Sequence, residues 1–258
     1  MVEAVKPAVT LESLGFKVGP KEPTTRWIDG KSIVTGIPKC GKTSLLAQGG
    51  ETTFFFRMAP EFHNLKTFGE DCKSYEDVEK WVGRLKQAHA AGVFPWDTIV
   101  FDPADRLLTF LSDAVCEKLG GDSLGEIPHG KGWGAYKAMI ESFVYGLESL
   151  PAHKVFVFHS VNKNYPETGE EHSKNPKTFS KEVVDLSEKT EGAFLRWVDN
   201  ILHIKVGYVG NQYARVILTR GTKFVEAGTK SPILQAHPQI SFESTDKETY
   251  AKLRKLFT

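Results

Sequence analysis

Cysteine is scarce. Cys40, Cys72 and Cys116 are the only three in 258 residues. They are too few and too scattered for a disulfide framework, which favours a reducing compartment. Eight histidines show no zinc-ligand spacing with those cysteines. No apolar run approaches the ~20 residues that cross a bilayer, so no membrane partner is expected. Charge of one sign is also lacking: the formal net charge is +1. Any polyanion site must therefore be a local patch. The start, Met1 to Pro7, lacks the apolar core of a signal peptide, and a cytoplasmic chain is expected. Hydrophobic content of 40% and charged content of 25% fit one large globular domain.

One stretch organises the rest. Ser32 to Thr35 is apolar and strand-like, and Gly36-Ile37-Pro38-Lys39-Cys40-Gly41-Lys42-Thr43-Ser44 follows it. This is G-x-x-x-x-G-K-[ST], the P-loop pattern, in a strand–turn–helix context. Phosphates need backbone N–H groups without side chains in the way, and Gly36 and Gly41 allow that approach. A helix start near Gly41 adds partial positive charge. Lys42 is expected to reach the β- and γ-phosphates of ATP, and the Thr43 hydroxyl to ligate Mg²⁺. Cys40, beside Lys39 and Lys42, reads either as a thiol of lowered pKa or as a small residue at a variable position.

Around that stretch the chain reads in order. Residues 1–26 are a leader punctuated by Pro7, Pro20 and Pro23, with one helical turn between Thr10 and Phe16. Asp29-Gly30 reads as a hairpin turn between Trp27-Ile28 and the P-loop strand. A short helix runs from Lys42 to Gln48, and Thr52 to Met58 is a buried strand. Glu61, beyond its carboxyl end, either orients the attacking water or is a surface glutamate. Asp71 to Ala91 is helical, with Val78, Trp81, Val82, Leu85 and Ala88 on one face. Thr98-Ile99-Val100-Phe101-Asp102 is a strand ending in an acid, the Walker B pattern. Asp102 is expected to hold Mg²⁺ through water, or else to cap the next helix. Asp105 complements the dipole of that helix, which runs through Leu107 to Leu119.

Residues 120–134 read as a glycine-rich loop carrying Lys131 and Trp133, either nucleic-acid-facing or a connector. The helix Ala135 to Leu150 follows, with Met139, Phe143 and Leu147 on one face. Lys154 to Ser160 is a strand that brings His159 to the edge where Asp102 lies. His159 either touches the γ-phosphate or its water, or is a core histidine. Residues 161–196 read as a second long loop, with Lys163, Tyr165, Lys174, Lys177, Phe179 and Lys181 offset by acids. Strand-like runs at Asp199–Val206, Gln212–Thr219 (after a Gly210-Asn211 turn) and Lys223–Glu226 precede a last helix, Lys247 to Phe257. Thr245 to Glu248 form its capping box, and Leu253 and Leu256 dock it.

The order of parts suits ATP hydrolysis by an activated water. No arginine-rich lid of a small-molecule kinase is visible, and Asn162-Lys163-Asn164 lacks the aspartate of a guanine-reading motif.

On Gly36 to Thr43, Thr98 to Asp102, Gly130-Lys131-Gly132-Trp133-Gly134-Ala135-Tyr136, Val157 to Ser160 and the closing Thr249-Tyr250-x-x-Leu253, the chain resembles the RecA-like ATPases. Within them it is similar to the core-only phage single-strand annealing proteins. The resemblance spans residues 25–258 and implies an α/β RecA-like core over 27–258: a mainly parallel sheet flanked by helices, with antiparallel C-terminal strands. It implies a Mg²⁺-dependent, DNA-stimulated ATPase that binds single-stranded DNA and promotes annealing or pairing, in the host cytoplasm if phage-encoded. A homo-oligomeric ring or filament is implied, with Arg220 and Lys223 as residues acting on a neighbour's site and a single-strand-binding protein as a further partner. Loops 120–134 and 161–196 take the positions of the family's DNA-binding loops, through Lys131, Trp133, Lys163, Tyr165, Lys174, Lys177 and Lys181. Pro103 after Asp102, Arg57 before Glu61 and the mixed charge of the second loop depart from the pattern. The other reading is a nucleotide-dependent assembly or loader protein that acts on a replication protein.

Overall fold

The computed structural model describes residues 10, 12–14, 26–59, 65–170, 172–209, 212–243 and 248–257. Its strands, in chain order, are β1 (Lys31–Thr35), β2 (Thr53–Arg57), β3 (Phe68–Asp71), β4 (Thr98–Asp102), β5 (His153–Val157) and β6 (Ser160–Pro166). β7 (Thr178–Val184), β8 (Asn200–Val209), β9 (Gln212–Leu218), β10 (Gly228–Thr229) and β11 (Gln239–Glu243) complete them. The helices are α1 (Lys42–Ala47), α2 (Tyr75–Ala90), α3 (Ala104–Leu119) and α4 (Lys131–Gly146), then α5 (Glu188–Trp197), α6 (Pro232–Gln235) and α7 (Thr249–Lys255).

Nine strands form one sheet in the order β11-β9-β8-β1-β5-β4-β2-β3, with β10 beside β8. The run from β8 to β3 is parallel, while β9, β10 and β11 pair antiparallel. The fold is therefore mixed α/β with a mainly parallel central sheet. One strand, β5, separates the P-loop strand β1 from β4. Ligands in such sheets sit at the carboxyl ends of the strands, where Gly36 and Asp102 both lie.

Strands covered on both faces are largely apolar, and β4 and β5 are buried throughout, with Thr98, Asp102, His153 and Lys154 as their buried polar residues. The pleat divides the apolar side chains between two cores. Ile33, Phe54, Phe56, Ile99, Phe101 and Phe156 face α2, α3, α4 and α5. Val34, Phe55, Val100, Val155 and Val157 face Leu45 and Leu46 of α1 and Tyr250 and Leu253 of α7. On the first face Phe56, Phe101 and Phe156 stack across three strands, with centroids 4.5 Å and 4.8 Å apart. α2 starts at Ser74, whose hydroxyl accepts from the Asp77 amide at 3.3 Å, and buries Val78, Val82 and Leu85.

Several local expectations need correction. Trp27–Asp29 is a 3₁₀ turn rather than a hairpin arm. An Arg26–Asp29 ion pair at 2.8 Å closes it, and Trp27 donates to Thr98 in the core. Phe68–Asp71 is strand, and the helix begins four residues later than expected because β2 recruits that segment, with Arg57 opposite Asp71. Residues 120–134 are not one loop. α4 begins at Lys131 and takes Gly132, Trp133 and Gly134 into its first turn. A Cβ on Gly132 would come within 2.4 Å of the Leu124 carbonyl, so glycine serves close packing there rather than freedom. Residues 161–196 are not a loop either: β6 and β7 form a two-stranded antiparallel sheet, and α5 follows. Lys223–Glu226 forms only isolated bridges, while β10, α6 and β11 carry no sequence expectation.

Of the leader, residues 10, 12–14 and 26 are described, and Glu12–Leu14 make a 3₁₀ turn. The Gly210-Asn211 turn, Glu61 and the Thr245 to Lys247 part of the capping box lie outside the described residues. No described helix is long and apolar enough to cross a membrane.

Candidate nucleotide site

The β1–α1 turn lies in a cavity of about 590 Å³, walled by Lys39, Gly41, Lys42, Thr43 and Ser44 on one side and Asp102, His159 and Arg215 on others. Gly36 and Gly41 have φ of 150° and 100°, conformations in which a side chain is strained. A Cβ on Gly36 would stand 2.5 Å from the Ile204 carbonyl, and one on Gly41 3.0 Å from the Arg215 guanidinium. Ile37 is half exposed, Pro38 lines the cavity, and the Cys40 amide donates to the Ile37 carbonyl at 3.4 Å.

Lys42 is buried, with Nζ 2.7 Å from the Gly36 carbonyl and 3.0 Å from that of Ile37. Burial lowers its pKa, and Asp102, Asp105 and Glu182 oppose the shift. The Thr43 hydroxyl donates to Asp102 Oδ2 at 2.6 Å. Burial pushes the Asp102 carboxyl up to about 6, against the pull of Thr43, Lys42 and His159. Of the two readings of Cys40, the structure favours the small buried residue over the activated thiol: it is 1% exposed, and burial raises its pKa despite Lys42. α1 has only six residues, so loop N–H groups and cations matter more here than a helix dipole.

His159 stands just past β5, at the edge where Asp102 ends β4. Asp105 Oδ2 is 2.6 Å from its Nδ1 and 3.3 Å from its backbone N. A carboxylate accepts, so Nδ1 carries the proton of that bond, and a ring with its other nitrogen bare would present Nε2 as an acceptor. Asp105 thus positions His159, a role beyond the dipole complement expected of it.

Three parts of this arrangement are not evident from the sequence. Arg215 comes from β9, where a guanidinium within Tyr213-Ala214-Arg215-Val216-Ile217 is out of keeping with the strand, and that oddity is the one signal it leaves. Asp105 and Glu182 leave none. Glu182 on β7 accepts from the Ser160 hydroxyl at 2.6 Å and lies 3.3 Å from His203 Nε2 and 3.8 Å from Lys205 Nζ. His203, fully buried, is in register with Thr35 at the base of the P-loop.

Arg220 and Lys223 lie outside the cavity. Arg220 Nη2 donates to the Gln235 carbonyl at 3.4 Å, and Lys223 pairs with Glu167 at 2.6 Å. Lys131 is exposed in the first turn of α4, and Trp133 packs in part against the core. Lys163 Nζ donates to the Leu186 carbonyl at 3.0 Å, Lys174 and Lys177 are exposed, and Lys181 lies 5.9 Å over the Tyr165 ring.

The residues fit a magnesium nucleotide. The turn is a cradle that a Cβ would fill, the cations Lys39, Lys42 and Arg215 line it, and Thr43 and Asp102 offer the hard oxygens that Mg²⁺ takes. Among the described residues, no group of three or more His, Cys, Asp or Glu could hold a metal alone. Such a cation would therefore share its shell with phosphate oxygens.

No curated protein matches the chain. A family model described as an AAA domain matches residues 29–231, which takes in the P-loop, Asp102, His159 and Arg215. With more than half its length matched and a P-loop cavity at the carboxyl edge of a parallel sheet, the chain belongs to the AAA domain family of P-loop ATPases.

Proposed function

We propose that the chain is a Mg²⁺-dependent ATPase that grips single-stranded DNA on its β6–β7 hairpin and uses nucleotide state to control that grip, in strand annealing or pairing. The observation that carries the reading is the hairpin's aromatic and basic face. Tyr165 and Phe179 stack at 6.0 Å, and exposed Phe224 meets Phe179 edge-on at 6.3 Å. Lys223 lies 4.7 Å over the Phe179 ring. Rings for bases beside cations for phosphates are what single strands need. Lys174, Lys177 and Lys181 extend that face. Lys131, on α4, and Lys163, tied to Leu186, are peripheral, and half-buried Trp133 is not offered to bases.

At the nucleotide, Lys42 and Arg215 bind the phosphates of ATP, and the Gly36–Gly41 turn offers them its N–H groups. Thr43 and Asp102 hold Mg²⁺, which neutralises phosphate charge when bound. Asp105 fixes the His159 ring so that Nε2 accepts a proton from the attacking water or hydrogen-bonds it. Glu61 keeps the water-orienting role that the sequence suggests. The Ser160–Glu182 hydrogen bond and the 3.3 Å approach of Glu182 to His203 link the hairpin to the base of the P-loop strand, a short mechanical route between nucleotide and DNA. Assembly into a ring or filament, with Arg220 acting across the subunit boundary and a single-strand-binding protein nearby, completes the proposal. Lys223, paired with Glu167, suits the hairpin face better than a neighbour's phosphates.

The test is phosphate release from ATP with and without a single-stranded oligonucleotide, for wild type, Lys42→Ala and Phe224→Ala. The strand should stimulate wild type, Lys42→Ala should be inactive, and Phe224→Ala should keep basal turnover but lose most of the stimulation. Binding should weaken steeply with salt. Turnover indifferent to DNA overturns the DNA reading and favours a protein partner.

A further inference from the structure

A second cavity of about 500 Å³ opens beside the nucleotide cavity, beyond the carboxyl ends of β2 and β3. Ala59 and Leu65 wall both. Its volume is that of small-ligand sites, which run from about 300 to 1,000 Å³. Its charge is uneven. Arg57, Lys73 and Arg106 line it against one acid, Asp71. That acid is already committed: Arg57 Nε donates to Asp71 Oδ1 at 2.6 Å, and Arg57 Nη1 donates to the Thr67 carbonyl at 3.4 Å. Arg57 and Asp71 therefore cancel. Among the described residues neither Lys73 nor Arg106 makes an ion pair; Arg106 lies over the Phe110 ring at 5.1 Å. Among the described residues that line this cavity, Lys73 and Arg106 are thus cations without an ion pair, beside an apolar wall of Met58 and Phe110; both also border an adjoining recess with Glu76, Asp113 and Glu117.

Among the described residues of the cavity itself, Asp71 is the one acid and is held by Arg57, so the lining favours an anion. A carboxylate would neutralise one cation and leave the other. A phosphate monoester carries about −1.5 to −2 at neutral pH and matches both. The arginine fork suits its oxygens, and the apolar wall suits a ring attached to it. We propose that this cavity binds a phosphate monoester of nucleotide size, with its phosphate between Lys73 and Arg106 and its ring against Met58 and Phe110. Its occupant is linked to the neighbouring site. Arg106 follows Asp105, which holds His159 in the nucleotide cavity, so a phosphate drawn to Arg106 acts on the first turn of α3 from its other side. The cavity stands apart from the hairpin, and the inference does not depend on DNA reaching that hairpin.

Free nucleotides and the 5′-phosphorylated end of a DNA strand share this chemistry. The experiment uses Lys42→Ala protein, to suppress binding at the P-loop, and titrates thymidine 5′-monophosphate against thymidine by calorimetry. The monophosphate should bind and thymidine should not. Adding Arg106→Glu or Lys73→Glu should each weaken the monophosphate at least tenfold. Both charge changes, placed in the chain with an intact P-loop, should leave ATP affinity within about twofold of wild type, which separates this site from the ATPase reading. Failure of the monophosphate to bind, equal binding of thymidine, or unchanged affinity in both charge variants overturns the proposal. A second arm compares 5′-phosphorylated with 5′-hydroxyl oligonucleotides of one sequence. A tenfold preference for the phosphorylated end assigns the site to strand ends, and equal binding assigns it to free nucleotides.

Discussion

Lowering the pH from 7.5 to 5 should remove about 2 kcal/mol of stability through one imidazole, that of His153. This residue opens β5 and is fully buried against Trp27, with ring centroids 4.1 Å apart. Its Nε2 is 2.7 Å from the Ser32 hydroxyl, which also accepts from Asn200 Nδ2 at 3.0 Å. The Ser32 proton therefore goes to Nε2, and a charged ring would turn two donors on one another. Burial, reinforced by Lys154 and Arg254, lowers the His153 pKa from 6.5 to about 3. Between those values the unfolded chain binds a proton that the folded chain refuses. The stability is complete above pH 6.5 and falls by about 1.4 kcal/mol per unit as pH drops toward 3. At pH 5 the gap is about 1.5 units, hence ~2 kcal/mol. Urea unfolding of wild type and His153→Gln at pH 7.5, 6 and 5 reads this directly. The variant cannot titrate there, so its stability relative to wild type should improve by ~2 kcal/mol over the range. A difference between the two proteins that stays constant with pH refutes the reasoning.

Three further outcomes follow from distances already given. Asp105→Asn, which leaves His159 without its carboxylate, should lower kcat for ATP about tenfold or more with KM within about twofold, in steady-state phosphate release. Arg215→Ala should weaken ATP at least tenfold in equilibrium binding while moving Tm by no more than ~3 °C, because guanidinium and phosphate form a strong charge-assisted pair. Gly69→Ala should cost more than ~3 kcal/mol and lower Tm by roughly 6–12 °C in a thermal melt. Its Cβ would stand 2.0 Å from the Phe55 carbonyl of the neighbouring strand, at φ 145°.

Contiguous signals were legible. The P-loop, the strand from Thr98 to Asp102 and the strand leading to His159 each declare themselves within a dozen residues, because a strand buried on both faces is largely an apolar run. What failed was inference from glycine and charge. Gly130, Gly132 and Gly134 look like a flexible run. Yet Gly132 lies in the first turn of a helix and packs against Leu124, a contact no local pattern encodes. β6 and β7 look like a loop because lysines and acids fill positions that a half-exposed ribbon leaves to solvent. Arg215 is illegible as a site residue because the pairing that brings β9 to Gly41 links distant parts of the chain.

That last pairing bears on synthesis. The P-loop turn is synthesised well before β8, which flanks β1, and Arg215, which faces Gly41. The turn lacks one wall and one cation until then. A nascent chain halted before Asn200 would carry an intact P-loop sequence and still hold nucleotide poorly. Nucleotide capture would thus report that the late strands have docked on the P-loop strand.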